Sequence, residues 1–338
     1  MSQTRVSIVI PCRNEQKYIQ DLLEALDEQD YQDELEVVIV DDHSTDGTRR
    51  LIEQWVKDHG ENRLLVRVIS NSGEGIPAAL NEGIAQAQSP IIIRMDAHAK
   101  PDANYVSMCL AALKKSRAQL VGGVWLIRPS RTTLIAQAIA LTVSHPFGAG
   151  DSLYRYGAQA GPQVVDTVPF GCFKKAVWDR VGRYDENLKA NEDYDFAYRI
   201  RRAGGTVYFD PAIRSTYYAR HNLRALGRQY FRYGWWKAKM LRKWPESLRI
   251  RQIIPLTFTL TLITLAGSSL FYSWGRWALS LLLSIYLLAM ILACVDIGLR
   301  RHAGAKVAAL PLCFVTVHLS YGTGLLLGCL SNLQRNSS

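Results

Sequence analysis

Ile91-Ile-Ile-Arg-Met-Asp-Ala-His-Ala-Lys-Pro101 is the stretch whose reading decides the fold. An apolar run stops abruptly at Asp96, and His98 follows two positions on. A short continuous apolar run bounded in this way reads as a buried strand. In open α/β sheets, ligands sit beyond the carboxyl ends of the strands. Asp96 and His98 therefore fall where a ligand would be met, and both side chains can ligate a divalent cation able to neutralise a diphosphate. Taken alone, Asp-x-His marks either such a site or a capped turn, and the flanking chain has to decide.

Upstream, Val6–Ile10 reads as a first buried strand stopped by Pro11. Asn14 is expected to cap a helix in which Ile19, Leu22, Leu23 and Leu26 recur at helical spacing. Leu35–Val40 reads as a second strand ending in the acceptor-rich turn Asp41-Asp-His-Ser-Thr-Asp-Gly-Thr48, with a helix to about Lys57. Leu64–Ile69 reads as a third strand. Gly73–Gly75 then opens a helix packed through Ala78, Ala79 and Ile84. Strand and helix alternate four times, which predicts an α/β fold with parallel pairing and crossover helices. Three strand ends, Pro11–Glu15, Asp41–Asp46 and Asp96–His98, then line one edge with acceptors suited to base N–H groups, ribose hydroxyls and a cation. No Gly-x-Gly-x-x-Gly follows the first strand and no Gly-x-x-x-x-Gly-Lys-Ser/Thr occurs, which argues against a dehydrogenase or a phosphate-loop nucleotidase.

Downstream, Thr132–Leu141 reads as helical, and residues 130–160 as a whole carry no signal that places them. Val164–Phe170 is expected to be a strand leading into Gly171-Cys172. Asn191-Glu-Asp-Tyr-Asp195 is expected to open a helix to about Ala203, ended by Gly204-Gly205. Its acids suit the positive end of a helix, whether they serve chemistry or only the dipole.

The formal charge of the 338 residues is +10. Between Leu223 and Arg251 nine cations are opposed only by Glu246, among Trp235, Trp236 and Trp244. A basic aromatic stretch suits an anionic membrane surface or a phosphorylated ligand, and equally nucleic acid. The sequence after it argues for the membrane over nucleic acid, because three apolar spans follow at about 253–272, 277–298 and 307–330, each near the ~20 residues a bilayer core requires. Arg300, Arg301 and Lys306 put the second inter-span loop, and with it the N-terminal domain, on the cytoplasmic side, leaving the C-terminal tail outside. The polar first five residues carry no signal-peptide pattern. The six cysteines, Cys12, Cys109, Cys172, Cys294, Cys313 and Cys329, have no metal spacing and read as free thiols.

Ser7-Ile-Val-Ile-Pro-Cys-Arg-Asn-Glu15, Val40-Asp-Asp-His-Ser-Thr-Asp-Gly-Thr48, Asn81-Glu-Gly83, Asp96-Ala-His98, Phe170-Gly-Cys-Phe173, Asn191-Glu-Asp193 and Gln229-Tyr-Phe-Arg-Tyr233 resemble, in order and spacing, the family 2 glycosyltransferases. The resemblance covers about residues 5–240. With the C-terminal spans it looks most like the bacterial exopolysaccharide glucosyltransferases of the succinoglycan type. It implies the GT-A nucleotide-diphospho-sugar transferase fold, a Rossmann-like, mostly parallel sheet, followed here by C-terminal transmembrane helices. By resemblance, Pro11, Arg13 and Glu15 line the nucleoside pocket, Asp41 or Asp42 meets the base, and Asp96 touches ribose or metal. Asp193 is the general base, with Asp195 the next candidate. Gly171, Cys172 and Glu192 serve the acceptor, and Gln229, Arg232 and Tyr233 sit over diphosphate and acceptor. Arg232 has a second reading as one more cation on a membrane-surface helix. His98 stands where the family more often has Asp, which bears on the metal, Mn²⁺ or Mg²⁺. Tyr233 stands where membrane-bound polysaccharide synthases have Trp, which argues against processive synthesis.

The organisation expected is a cytoplasmic GT-A domain over residues 1–222, basic aromatic interfacial helices over 223–252 and a membrane domain over 253–338. The function expected is inverting transfer from a nucleotide-sugar donor to a hydroxyl of a lipid-linked, polyprenyl diphosphate saccharide, at the bacterial inner membrane. Alternative readings are a polyprenyl-phosphate glycosyltransferase, a processive synthase and a non-catalytic sugar-nucleotide-binding subunit.

Overall fold

The computed structural model describes residues 6–59 and 64–334, with side chains described through Ser331. The polar N-terminal residues and the tail discussed above lie outside that range. The chain forms two compact units. One comprises residues 1–126 and 156–217, the other residues 127–155 and 218–338.

Among the described residues, the first unit is built on nine strands: β1 (Val6–Cys12), β2 (Leu35–Asp41), β3 (Leu64–Ser70), β4 (Ile91–Arg94), β5 (Lys100–Pro101), β6 (Leu120–Pro129), β7 (Gln163–Val164), β8 (Cys172–Lys174) and β9 (Val207–Ala219). The sheet order is β3-β2-β1-β4-β8-β6-β9-β5, with β7 on β9. The first four strands pair in parallel, as their alternation with helices predicts. β8 then pairs antiparallel with β4, so the sheet is mixed. β1 and β2 are buried along their whole length, which is why they read as unbroken apolar runs.

Helices α1 (Ile19–Asp27), α2 (Thr48–His59), α3 (Gly75–Gln86) and α4 (Tyr105–Ser116) cover the sheet. α1 starts four residues later than the Asn14 cap implies. Asn14 adopts φ 56°, and its Oδ1 accepts from the Thr45 amide at 2.8 Å, so it ties two loops together instead of capping a helix. The strand expected over Val164–Phe170 forms only at Gln163–Val164. Phe170 has φ 47°, which breaks an extended run, and the Gly171 carbonyl is drawn to the Arg94 amide at 3.0 Å.

Asn81-Glu-Gly83 has a packing meaning. Asn81 Nδ2 donates to the Tyr184 carbonyl at 2.9 Å and its Oδ1 accepts from the Tyr184 amide at 2.8 Å. Gly83 lets α3 lie directly on β1 and β2, where an added Cβ would overlap Val9 and sit 2.8 Å from a Val40 methyl. Gly83→Ala is therefore expected to destabilise the protein by about 1–3 kcal/mol through overpacking, read as a lower melting temperature; an unchanged melting temperature would contradict this packing.

In the second unit, α5 (Leu134–Val143) and α6 (Pro146–Ala149) give the 130–160 region its place. They share an apolar core with three later helices of the same unit, α9 (Leu223–Lys243), α11 (Ser273–Arg300) and α12 (Leu310–Gln334), while α10 (Ile250–Ser269) stacks Phe258 on Tyr286 of α11 and meets Gly322 of α12 through Pro255 and Thr259. Between the two groups, in the first unit, lie α7 (Lys175–Val181) and α8 (Glu192–Arg202). Among the described residues, three stretches are long and apolar enough to cross a membrane: Ile250–Ser269, Ser273–Arg300 and Gly304–Ser331. α9 is capped by Asn222, whose Oδ1 accepts from the Ala225 amide at 2.8 Å. It is not a lone surface helix, because Leu226, Tyr230, Gly234, Lys237, Ala238 and Met240 are buried. Lys237 folds back so that its Nζ donates to the Ser247 carbonyl at 3.1 Å and its hydroxyl at 3.0 Å, which locks the turn after α9.

Candidate active site

Four loops of the first unit converge at the carboxyl ends of β1, β2 and β4 and at the start of α8. The β1 and β2 loops are laced together. The Asn14 amide donates to Ser44 Oγ at 3.0 Å, the Glu15 amide to Thr48 Oγ1 at 2.8 Å and the Gly47 amide to Gln16 Oε1 at 3.0 Å. The polar turn is thus a preformed wall.

Asp41 and Asp42 are both 5% exposed. Asp41 Oδ1 accepts from the Ser44 amide at 3.2 Å. Asp42 Oδ1 accepts from Asn71 Nδ2 at 2.7 Å, Asp42 accepts from the Gly75 amide at 3.3 Å, and its Oδ2 lies 3.3 Å from an Arg13 nitrogen. Asp42 therefore gathers the β3–α3 loop to the end of β2. Pro11 is buried inside β1, in register with Val40. It shapes the strand end by its backbone.

The centre of the site is a residue the sequence reading passed over. Arg94 ends β4 with its side chain 4% exposed. One terminal nitrogen lies 2.9 Å from Asp96 Oδ1 and 3.3 Å from Glu192 Oε1, and the other lies 3.0 Å from Asp193 Oδ2. The guanidinium also sits over the Phe170 ring, 5.4 Å from its centroid. A planar fork with two terminal nitrogens can hold three carboxylates at once, which a lysine cannot. Arg94 thereby joins the strand end carrying Asp96 to the helix start carrying Asp193. The signal was present as a lone cation at the end of an apolar strand, where burial demands partners.

Asp193 keeps 24% of its side chain exposed, so it is reachable. Burial pushes its carboxyl up from 3.8 to about 7; Arg94 opposes the rise, while Glu192 and Asp96 add to it. Asp195 has a different role. It is 0% exposed and its Oδ2 accepts from Arg199 Nε at 2.8 Å, an ion pair inside α8. It cannot reach a substrate. Gly171 and Cys172 are corrected likewise. Cys172 is fully buried in β8, in register with Ile93, and a Cβ on Gly171 would collide with Leu120. Neither side-chain position meets an acceptor. In the second unit, Gln229 and Tyr233 are one helical turn apart on α9, with Gln229 Nε2 donating to the Tyr233 hydroxyl at 2.9 Å, and Arg232 is exposed on the same helix.

The metal-capable pair is Asp96 and His98. His98 Nδ1 lies 3.0 Å from Glu15 Oε1, the carboxylate contact by which metal-binding histidines fix their ring and leave Nε2 to ligate. Among the described residues, no group of three or more His, Cys, Asp or Glu is placed to hold an ion. The pair therefore fits an open site, where a hard cation draws its other ligands from substrate phosphates and water, and does not fit a closed protein cage.

A mostly parallel sheet with acidic strand ends, an acid-opened helix beside them and no glycine-rich phosphate loop defines a GT-A sugar-nucleotide transferase. Residues 7–176, half of the chain, match the family described as Glycosyl transferase family 2, and the chain belongs to that family. It is an enzyme of the hexosyltransferase type, working in glycan or polysaccharide biosynthesis. It is 30% identical over 258 residues to the succinoglycan biosynthesis protein ExoA of Rhizobium meliloti (strain 1021), covering 76% of each chain. It is 27% identical over 325 residues to the dolichyl N-acetyl-alpha-D-glucosaminyl phosphate 3-beta-D-2,3-diacetamido-2,3-dideoxy-beta-D-glucuronosyltransferase of Methanococcus voltae, covering 94% of this chain and 95% of that one. Among solved structures, the mannosyltransferase PcManGT from Pyrobaculum calidifontis, in complex with GDP-Man and Mn²⁺, aligns with a TM-score of 0.61 at 20% identity, over 96% of this chain and 87% of that one. That likeness shows the fold.

Proposed function

We propose that the protein is an inverting glycosyltransferase that moves a sugar from a nucleoside diphosphate to a hydroxyl of a lipid-linked saccharide at the cytoplasmic face of the cell membrane. The observation that carries this reading is Asp193: a reachable carboxylate at a helix start, tied through Arg94 to the strand-end Asp96. In a single displacement, the acceptor oxygen bonds to the anomeric carbon as the carbon–oxygen bond to the diphosphate breaks, and the acceptor proton passes to the Asp193 carboxylate. A base whose pKa lies near 7 is matched to that task at neutral pH.

Asp41, Asp42, Pro11 and Arg13 form the nucleoside wall in this reading, with a UDP-sugar the first donor to test. Asp96 and His98 hold a divalent cation, Mn²⁺ or Mg²⁺, which when bound neutralises diphosphate charge. Glu15 orients His98. Gln229, Arg232 and Tyr233 serve the diphosphate and acceptor. A lipid-linked acceptor is supported by the Methanococcus voltae relative, whose name specifies a dolichyl-linked acceptor and which matches this chain over nearly its whole length. The three long apolar helices support membrane association.

The test is nucleoside diphosphate release by the full chain in nanodiscs, across UDP-, GDP- and dTDP-sugars, with polyprenyl-linked acceptor extract. Acceptor-dependent release from one donor is expected; nucleotide binding without release from any donor would overturn the reading. Glu15→Gln is expected to raise the metal concentration needed for half-maximal release by about 10–100-fold, the usual cost in metal affinity of losing the carboxylate behind a ligating histidine. An unchanged metal titration would remove His98 from the metal site.

A further inference from the structure

We infer that Asn81 is a positioning residue for the base: it holds Tyr184, and Tyr184 sets where α8, and Asp193 with it, begins. The inference rests on the reading of Asp193 as the base, and all of its residues belong to the first unit.

The whole Asn81 amide is committed to the loop between α7 and α8. Its Nδ2 donates to the Tyr184 carbonyl at 2.9 Å and to Glu186 Oε1 at 2.8 Å, and its Oδ1 accepts from the Tyr184 amide at 2.8 Å. Both backbone groups of Tyr184 are thus fixed by one side chain. A carboxamide carries the donors and the acceptor that this requires in one planar group, whereas a carboxylate only accepts. Asn81 is 4% exposed, so these bonds are shielded from water.

The support behind Asn81 is rigid. α3 is anchored at its start, where the Gly75 amide donates to Asp42 at 3.3 Å. Two residues past Asn81, Gly83 lies flat against Val9 and Val40. A helix packed that closely on a sheet has no room to shift. Asn81 sits between the two anchors.

Tyr184 carries this fix to α8. Its ring, 4% exposed, stacks on Phe196 with centroids 4.8 Å apart and planes at 28°. Phe196 is in turn held against Phe173 of β8 at 5.0 Å. It lies three residues after Asp193 and so on the same side of α8. The ring also adjoins the ionic cluster. Burial and then Asp193 push the Tyr184 hydroxyl well above its usual range, with Glu192 adding to the rise and Arg94 opposing it. Between Tyr184 and α8, Asn191 is held at φ 67°, a left-handed conformation that a non-glycine residue keeps only where its surroundings impose it. The start of α8 is therefore set by long-range contacts. The chemistry demands that precision, because a base must stand within hydrogen-bond reach of the proton it takes, and an error of about 1 Å can lower a rate about 100-fold.

The test is the kinetics of nucleoside diphosphate release by the full chain in nanodiscs, normalised to folded protein. Asn81→Asp keeps the acceptor for the Tyr184 amide, loses the donor to its carbonyl and sets a carboxylate against Glu186. It is expected to lower kcat by about 10- to 100-fold with the donor KM unchanged. Adding Glu186→Gln restores a donor across that contact and is expected to recover kcat severalfold. Tyr184→Leu keeps the backbone pairing but removes the ring from Phe196, and is expected to lower kcat likewise at unchanged donor KM. In Asp193→Asn, where no base is left to misplace, Asn81→Asp is expected to cause no further loss. An equal loss in both backgrounds, a wild-type kcat in Asn81→Asp or Tyr184→Leu, or no recovery with Glu186→Gln would overturn the inference. Asp193→Asn turning over at the wild-type rate would instead bring down the base reading on which it rests.

Discussion

Asp193→Asn is expected to lower acceptor-dependent turnover by about 100- to 10,000-fold, the usual contribution of a positioned general base, while sugar-nucleotide binding persists. The amide keeps the shape and the α8 position but cannot take the acceptor proton. The fold is expected to survive. Arg94 retains Asp96 at 2.9 Å and Glu192 at 3.3 Å, so the substitution does not strand the buried cation. The sign of the stability effect also follows. The folded-state pKa of Asp193 lies above its ordinary value of 3.8, so the folded protein holds that proton more tightly than the unfolded chain. Ionising it costs stability as pH rises toward about 7, and a neutral amide removes that cost. A melting temperature at neutral pH no lower than wild type, together with lost turnover, is the expected pair. Turnover within a few-fold of wild type would instead fit an acceptor that attacks through a phosphate oxygen and needs no base.

Arg94→Met is expected to destabilise the protein by about 3–5 kcal/mol, the cost of removing one partner from a buried ionic cluster. Three carboxylates held within 3.3 Å of its nitrogens would face one another with no cation. Arg94 is also the charge that opposes the rise in the Asp193 pKa, so its loss raises that pKa further. The base is then protonated over more of the pH range, and the ascending limb of the rate profile moves to higher pH. Arg94→Lys restores charge but not the fork, and is expected to recover stability more than rate. Thermal unfolding and the rate profile are read on the same preparations. A melting temperature near wild type would show that the three carboxylates do not depend on Arg94.

The parallel half of the sheet was legible because β1, β2 and β4 are buried on both faces and so read as unbroken apolar runs. Their polar ends marked the site edge for the same reason. Arg94 was not legible because it reads as the last letter of the run; only its three partners, one nearby and two almost a hundred residues on, reveal its role. Asp193 and Asp195 look interchangeable in sequence. They differ because two residues turn a helix far enough to point one at Arg94 and bury the other against Arg199. Cys172 looked like part of a loop motif, but the antiparallel pairing of β8 with β4 is a long-range fact that no local pattern states. Most of residues 130–160 could not be placed from sequence because the partners of α5 and α6, namely α9, α11 and α12, come much later in the chain.

The most direct test of the account is the pH dependence of acceptor-dependent nucleoside diphosphate release by the full chain in nanodiscs, for wild type and Asp193→Asn side by side. The account predicts that wild-type turnover rises with pH through a single limb centred near 7, and that Asp193→Asn loses both the rate and that limb. The same limb persisting in Asp193→Asn would contradict the assignment of Asp193 as the base.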